Sequence, residues 1–221
     1  MKETIQNIRK DCRQAMNGIV STSMREHGLD YKLNFGLVAL QIKALAEKYG
    51  SSAPLAEELW KENTRELKIL STLIYPVEEF GKETANRWVK EIANQEIREQ
   101  ICINLFQNLP YAAELAKEWT ADSDDEIRIT GYWLLTRLMT AQKQEAAISI
   151  HDLEEYIWND VVSVNMFLRN SATFVLKRMV RNSKDQADYI LSRVQPFRGS
   201  PDLLKAEAYD GIAFEIEFMY S

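Results

Sequence analysis

The sequence is short of the residues that build tight turns and covalent cross-links. It contains eight glycines, five prolines and two cysteines among 221 residues. Loop-rich and all-β proteins depend on glycine and proline for their tight turns, so neither class is expected. The two cysteines, Cys12 and Cys102, provide neither a disulfide framework nor the spacing of a metal site. We therefore expect a reduced, cytoplasmic protein that binds no metal.

Long hydrophobic runs are also missing. No apolar stretch approaches the roughly 18 residues of a transmembrane helix. The residues Met1–Thr4 are not followed by the apolar segment of a secretory signal. His27 and His151 lie far apart in the chain, and neither a Ser/His/Asp set nor a glycine-rich phosphate loop is visible. These absences lead us to expect no membrane partner and no cofactor.

Positive charge is scarce overall but concentrated in one region. The net charge of −6 disfavours a uniformly basic nucleic-acid binder. Residues 165–200 nevertheless hold seven basic residues against Asp185 and Asp188. The seven residues of this basic strip are Arg169, Lys177, Arg178, Arg181, Lys184, Arg193 and Arg198. The strip is compatible with a DNA-facing groove and equally with one solvated helix face.

Helical periodicity, in contrast, extends along the whole chain. Apolar residues recur at intervals of three and four, and they predict long helices over about 124–140 and 164–181. The breaks are short and carry helix-end signals, such as the segment 50–52 followed by Pro54. About a dozen helices joined by short connections predict an all-α chain.

One tripeptide recurs with a constant spacing. Glu96-Ile97-Arg98 and Glu126-Ile127-Arg128 lie 30 residues apart, and the variant Glu66-Leu67-Lys68 lies 30 residues before the first. A tryptophan precedes each copy by six to eight residues, at Trp60, Trp88 and Trp119. The pattern predicts paired helices, with an outer helix that ends in tryptophan and an inner helix that begins with acid–aliphatic–base.

Each position of the tripeptide has an expected role. The acid suits the positive end of the helix dipole, and the aliphatic residue faces the core. The base is expected to point along the inner, concave face. Paired helices of this kind form a solenoid, and the segment Asp124–Arg128 resembles the aspartate-then-Val/Arg signature of HEAT repeats. The predicted fold class is therefore an all-α, HEAT-like helical-repeat superhelix, interpreted as a single domain over residues 1–221.

Three segments add a family resemblance to this repeat. They are Asn34–Ala39 leading into Ile42-Lys43, Glu58–Leu70, and Phe167–Lys177. In this order they resemble the AlkD-like family of DNA alkylation repair proteins, over about residues 15–215 of the chain. The resemblance implies a HEAT-like superhelix related to bacterial DNA glycosylases, with double-stranded DNA as the partner.

The chemistry of that family implies a set of site residues. Its glycosylases release N3- or N7-alkylated purines with the help of a carboxylate, tryptophans that pack against deoxyribose, and an arginine that holds the backbone. By resemblance, Cys102 takes the position of the carboxylate, Arg98 and Phe174 take those of the tryptophans, and Arg128 takes that of the arginine. Glu99 shares the helix face of Cys102 and is a second candidate for the negative charge.

These considerations give two groups of candidates. The catalytic candidates are Glu99 and Cys102, and the DNA-binding candidates are Arg98, Arg128, Arg169, Phe174 and Lys177. A thiol replaces a carboxylate at neutral pH only when its pKa is strongly lowered, so DNA binding without base excision is an alternative. A protein- or peptide-binding scaffold is another, with a protein partner in place of DNA.

Structural roles are also open for the same residues. Arg128 is equally explained as the basic residue of the repeat itself, bonding neighbouring turns. Cys102 suits a small core position, because free cysteine is usually buried. Phe174 suits a packed position at a concave edge as well as stacking on a sugar or base.

Overall fold

The computed structural model describes residues 1–29, 31–141 and 148–220. Regular structure in these ranges consists of thirteen α-helices and five short 3-10 turns, and β-pairing there is limited to one bridge between Leu33 and Thr64. The predicted all-α class is confirmed. The helices are α1 (Lys2–Gln14), α2 (Gly18–Glu26), α3 (Ala39–Tyr49), α4 (Ala53–Trp60), α5 (Arg65–Ile74), α6 (Lys82–Trp88), α7 (Gln95–Asn104), α8 (Ala112–Thr120), α9 (Asp125–Thr140), α10 (Ile157–Asp160), α11 (Met166–Asn182), α12 (Lys184–Val194) and α13 (Leu203–Tyr220).

The chain divides into two compact units, unit 1 (Met1–Leu109) and unit 2 (Pro110–Ser221). Within unit 1, α5 packs against α3, α4 and α7. Within unit 2, α11 packs against α9, α12 and α13. One helix of each unit is thus surrounded by its neighbours, as expected where each repeat buries its apolar face on the next. The single-domain interpretation of residues 1–221 stays a prediction.

The tryptophans mark the ends of the outer helices, as the sequence predicts. In unit 1, α4 ends at Trp60 before α5 begins at Arg65, and α6 ends at Trp88 before α7 begins at Gln95. The rings of Trp60 and Trp88 stack with centroids 4.1 Å apart and planes 2° from parallel, and both rings are buried. These tryptophans are therefore packing residues.

The corresponding helix pair of unit 2 is held closely together. Trp119 lies in the last turn of α8, and Asp124 caps α9 by accepting a hydrogen bond from the Glu126 amide at 2.8 Å. Gly131 allows α9 to approach α8, because a Cβ at this position would lie 2.7 Å from the Thr120 nitrogen. Any larger residue here would force the two helices apart.

Contacts between neighbouring repeats explain the spacing of the tripeptide. In unit 1, Arg87 Nη2 donates to Glu57 Oε1 at 2.6 Å, across 30 residues of sequence. Trp60 Nε1 donates to Glu91 Oε2 at 2.6 Å, across 31 residues. In both contacts, the two residues lie one repeat apart in the sequence. The 30-residue spacing of the tripeptide is therefore a property of the repeat fold, because the surfaces of neighbouring repeats must fit together.

Candidate functional site

The three bases of the repeated tripeptide are buried. Lys68, Arg98 and Arg128 are only 9%, 3% and 7% exposed, respectively. Their side chains are therefore packed inside the units, and the predicted direction along the inner, concave face stays a prediction. All three lie in the first turns of an inner helix. For Lys68 and Arg128, the turn before that helix supplies carbonyl acceptors close to the side chain.

Lys68 closes the turn between α4 and α5. Its Nζ donates to the Trp60 carbonyl at 2.6 Å and lies 4.5 Å from the centroid of the Trp60 ring. Desolvation lowers the pKa of Lys68, and the negative charge of Glu91 opposes this change in part. The lysine charge is thus held against an indole face inside unit 1.

Arg128 forms a buried ion pair in unit 2. Its Nε and Nη2 donate to the two carboxylate oxygens of Asp160 at 2.9 and 3.1 Å. Nη1 donates to the carbonyls of Asp122 and Ser123 at 2.9 and 3.2 Å, and Nη2 also donates to Asp125 at 2.6 Å. Every guanidinium nitrogen is therefore engaged inside the unit. The predicted contact of Arg128 with a DNA backbone stays a prediction, and this geometry works against it.

Unit 1 contains an equivalent buried cluster. Arg65 Nε and Nη2 donate to Glu96 Oε1 at 2.9 and 2.7 Å, and its Nη1 donates to the Leu37 carbonyl at 2.8 Å. Glu66 is fully buried and accepts hydrogen bonds from the amides of Phe35 and Leu37 at 3.1 and 3.3 Å. The two segments of unit 1 that carry the family resemblance are thus joined by Arg65 and Glu66, which hold a loop onto α5.

The catalytic candidates and Arg98 come together on α7 of unit 1. Gln95, in the first turn of the helix, accepts from Arg98 Nη1 at 2.7 Å and donates from its Nε2 to Glu99 Oε1 at 3.0 Å. Glu99 is half-buried, whereas Cys102 is fully buried. Glu99 is therefore partly exposed to solvent, while the Cys102 sulfur lies inside the core. The catalytic roles of both residues stay predictions.

The remaining candidates lie on α11 of unit 2. Arg169 Nη1 donates to the Ser163 carbonyl at 2.6 Å, so this arginine caps the connection before its helix. Phe174 is 55% exposed, which is unusual for a large apolar side chain. Lys177 is half-buried and lies one turn beyond Phe174. The structure therefore places Phe174 and Lys177 at a surface and ties Arg169 to the fold.

Phe174 borders a cleft between α9 and α11, which we call the aromatic cleft. It encloses about 220 Å³. Its lining residues are Trp133, Thr136, Arg137, Thr140, Ser171, Phe174 and Arg178. The sequence prediction missed Trp133 and Arg137 as site residues. The available signal was their spacing of four on the predicted helix over 124–140, which places both side chains on one face.

A second recess, which we call the lysine cleft, lies on the other side of Phe174. It encloses about 260 Å³ and is lined by Asn170, Thr173, Phe174 and Lys177. The two clefts share only Phe174 among these lining residues. The cations of α11 are thus divided, because Arg178 faces one cleft and Lys177 the other. This division agrees with the spacing of the basic strip, which covers more than one helix face.

The members of the basic strip differ in whether they form ion pairs. Arg181 Nε donates to Glu215 at 2.5 Å, and Lys184 pairs with Asp188. Lys177 and Arg178 form no hydrogen bond or ion pair with any residue in the described part of the chain. They are therefore the cations of the strip that lie beside a cleft with their charge uncompensated.

The clefts offer aromatic faces and positive charge to a ligand. Aromatic rings stack on planar bases, and arginine and lysine attract anions such as phosphate. Within the described ranges, no group of three or more His, Cys, Asp or Glu side chains is arranged to hold a metal ion. In the same ranges, no helix is both long and apolar enough to cross a membrane.

Two comparisons with known proteins found a match over most of the chain. A family model described as DNA alkylation repair enzyme matches residues 8–193. A solved structure described as "A new family of proteins related to the HEAT-like repeat DNA glycosylases with affinity for branched DNA structures" matches with a TM-score of 0.73 at 12% identity. That match covers 96% of this chain and 94% of the other, and it confirms the HEAT-like fold. A search of curated proteins found no match.

Proposed function

We propose that this chain, which belongs to the family of DNA alkylation repair enzymes, binds DNA through the aromatic cleft and the lysine cleft of unit 2. One observation carries the proposal. Phe174 is exposed between two clefts, and each cleft has a cation that is uncompensated within the described chain. Phosphates need positive charge, and bases need flat apolar faces. Both are supplied here within one turn of α11.

Two further facts support DNA as the ligand. The structurally similar protein is described as having affinity for branched DNA structures. The buried bases of the repeat are already bonded within their units, whereas α11 carries four basic residues and no acidic one. The rest of unit 2 is acidic in sequence, so a polyanion that approaches this unit is directed to α11.

The test removes the two uncompensated charges together. Lys177→Ala/Arg178→Ala should lower affinity for duplex DNA on the order of 50-fold at about 0.1 M salt, because two phosphate contacts are lost. The plot of log affinity against log salt should become shallower by roughly 1.8, since each contact contributes about 0.9. Fluorescence anisotropy with a labelled duplex at several salt concentrations measures both quantities.

A matched variant controls for overall charge. Lys43→Ala/Lys90→Ala removes two exposed lysines of unit 1 and changes the net charge by the same amount. It should leave most of the affinity intact. Equal losses in the two double variants would show that net charge governs binding, and the clefts would lose their assigned role.

Release of alkylated bases is the finer part of the proposal. N-glycosylase activity on N3- or N7-alkylated purines would need a carboxylate near the sugar, and Glu99 is the accessible candidate on α7. The experiment measures binding and base release in one reaction with duplex DNA that contains N7-methylguanine or N3-methyladenine. Release above the spontaneous rate that disappears in Glu99→Gln supports excision. Binding without release assigns the protein to DNA recognition alone.

A protein- or peptide-binding scaffold is the second candidate function, and one surface of unit 2 favours it. On α13, Phe214 and Phe218 are 67% and 69% exposed, and Glu207, Asp210 and Glu217 lie on the same side of the helix. This acidic, apolar face repels phosphate and suits a basic peptide with apolar anchors. A synthetic amphipathic Lys/Leu helix should bind the protein, and Phe214→Ala/Phe218→Ala should weaken binding at least about tenfold. Equal binding to both forms would remove this candidate.

A further inference from the structure

Phe174 forms a ridge between two recesses of α11. Its ring lines both clefts and is 55% exposed. With about 100° of rotation per residue, Ser171 and Arg178 lie on one side of Phe174, and Asn170 and Lys177 lie on the other. The cleft linings agree with this division. A flat apolar side chain therefore projects between two spaces of similar size.

One positive charge stands on each side of the ridge. Arg178 borders the aromatic cleft, and Lys177 borders the lysine cleft. The Lys177 side chain extends toward α13, where its Cε and Nζ lie 3.7 Å from the position that a Cβ would take at Gly211. The two charges thus diverge from the ring. This arrangement suits successive phosphates of one strand, with one phosphate on either side of the inserted ring.

We propose that Phe174 is a wedge that enters between two neighbouring bases of a DNA strand and leaves one base in each cleft. The inference rests on the proposed DNA binding and adds the mode of binding. The clefts enclose about 220 and 260 Å³. These volumes lie below the roughly 300–1,000 Å³ of pockets for small organic ligands, so each cleft suits a single base.

A wedge of this kind makes two physical predictions about the DNA. Apolar side chains that enter a base step unstack it and kink the duplex. The unstacking energy is smallest where the stack is already interrupted, so a nicked step should be preferred over a continuous one. Phosphate contacts by Lys177 and Arg178 are the same on both DNAs, and they contribute affinity without this preference.

The test compares Phe174→Ala with Phe167→Ala. Phe167 is 51% exposed on the same helix and is not among the residues that line either cleft. Its removal therefore changes the exposed apolar surface by a similar amount without touching the ridge. Phe174→Gln is a third variant, because it keeps a side chain of similar length and removes the flat apolar face. Circular dichroism melting establishes that each variant is folded.

Two measurements are made on each folded protein. The first is affinity for a continuous duplex of about thirty base pairs and for the same duplex with a central nick. Wild type and Phe167→Ala should prefer the nicked duplex roughly five- to a hundredfold, as expected where the nick removes part of an unstacking energy of a few kcal/mol. The second is energy transfer between dyes at the duplex ends, which should rise because a kink of roughly 20–90° brings the ends together. Both Phe174 variants should lose the preference and the rise in transfer.

The outcomes separate the wedge from the proposed function. Folded Phe174 variants that keep the nick preference and the kink overturn the wedge and leave DNA binding intact. A wild-type protein that binds DNA without kink or preference also overturns it. Failure of wild type to bind either duplex removes the proposed function and the wedge together. Loss of kink and preference in both Phe167→Ala and the Phe174 variants would assign the effect to apolar surface in general, which overturns the wedge as well.

Discussion

Two sets of cations in this molecule occupy opposite environments. Lys68, Arg98 and Arg128 recur every 30 residues and are buried. Lys177 and Arg178 belong to no such recurrence and border clefts, with no ion pair in the described part of the chain. The bases that recur with the repeat are used for contacts inside the units. Lys177 and Arg178 have no such contact, so their charge is available to an external anion.

The energetic consequences of the two environments also differ. A buried charge is stable only with a well-placed partner, because removing that partner leaves the charge desolvated and uncompensated. Lys177 and Arg178 are half-buried and form no ion pair in the described part of the chain, so their removal should change the free energy of unfolding little. Substitutions in the buried set should therefore act on stability, and substitutions of the cleft cations should act on DNA affinity.

The largest effect is expected when the partner of Arg128 is removed. Asp160 is buried, and it accepts hydrogen bonds from Arg128 Nε and Nη2 and from the Tyr132 hydroxyl at 2.8 Å. Asp160→Ala removes the buried carboxylate partner of the guanidinium and leaves Nε without its acceptor, so it should lower the free energy of unfolding by about 3–5 kcal/mol. Urea denaturation followed by circular dichroism measures the change.

Asp125→Ala is the matched control for this variant. Asp125 also bonds Arg128, but its side chain is 46% exposed. Its removal should lower the free energy of unfolding by at most about 1 kcal/mol, because exposed ion pairs contribute little. Similar losses in the two variants would mean that the Asp160 pair is not the one that stabilises unit 2.

A second variant tests the burial of the predicted catalytic position on α7. Cys102→Asp places a carboxyl group in the core of unit 1, where burial should raise the pKa of the new side chain and destabilise its charged form. The free energy of unfolding should fall by at least about 2 kcal/mol at neutral pH. Because the folded-state pKa of the new carboxyl would exceed its unfolded value, the loss should grow as pH rises from about 4 to 7.

The same variant tests the catalytic assignment from the family resemblance. Base release from alkylated DNA should not increase, because the substrate does not reach a fully buried side chain. A folded Cys102→Asp protein with new excision activity would contradict this reasoning. It would place Cys102 in the catalytic position that the resemblance assigns to it.

Much of the fold follows from local sequence signals. Apolar periodicity predicts helices over about 124–140 and 164–181, and the structure has α9 over Asp125–Thr140 and α11 over Met166–Asn182. The tryptophans mark the ends of outer helices, and the Trp60 ring stacks on Trp88 of the next repeat. Because neighbouring repeats pack against one another in a similar way, the apolar and tryptophan positions recur regularly. A single sequence is therefore sufficient to predict the helices.

The site depends on contacts that periodicity does not encode. The apolar periodicity predicts that Trp133 is a core residue of α9. Its position beside α11 places it in the lining of the aromatic cleft. The repeat pattern predicts that Arg128 is a base on the inner face. In the structure it is buried, and it donates hydrogen bonds to a carbonyl of the preceding turn and to Asp160. In both cases the deciding neighbour is remote in sequence or belongs to an irregular turn. Phe174 could be predicted as a site residue from the sequence because the family resemblance assigns it a role.

An identical substitution in the two sets of cations sharpens the comparison. Arg128→Lys keeps the charge but loses the two-point contact with Asp160, so the free energy of unfolding should fall by about 1–3 kcal/mol. Arg178→Lys keeps the charge at a cleft and should change the free energy of unfolding by no more than about 0.5 kcal/mol. Urea denaturation of both variants under one set of conditions gives the comparison. A loss for Arg178→Lys as large as that for Arg128→Lys would mean that Arg178 is also part of the folded framework.

The smallest effect concerns Lys68, whose pKa is lowered by burial from its ordinary value of 10.5. A lowered folded-state pKa means that the unfolded chain binds the proton more tightly, so the stability of wild type should rise as pH approaches 10.5.

Lys68→Met removes the titrating group together with the bond to the Trp60 carbonyl. At neutral pH, loss of the hydrogen bond destabilises the folded protein, whereas removal of a buried charge stabilises it. The free energy of unfolding should therefore change by no more than about 1 kcal/mol. Urea unfolding from about pH 8 to 10.5 should show wild type gaining stability relative to Lys68→Met. Lys90→Met, at an exposed lysine of the same unit, is the control, and a constant difference between wild type and Lys68→Met would contradict the prediction.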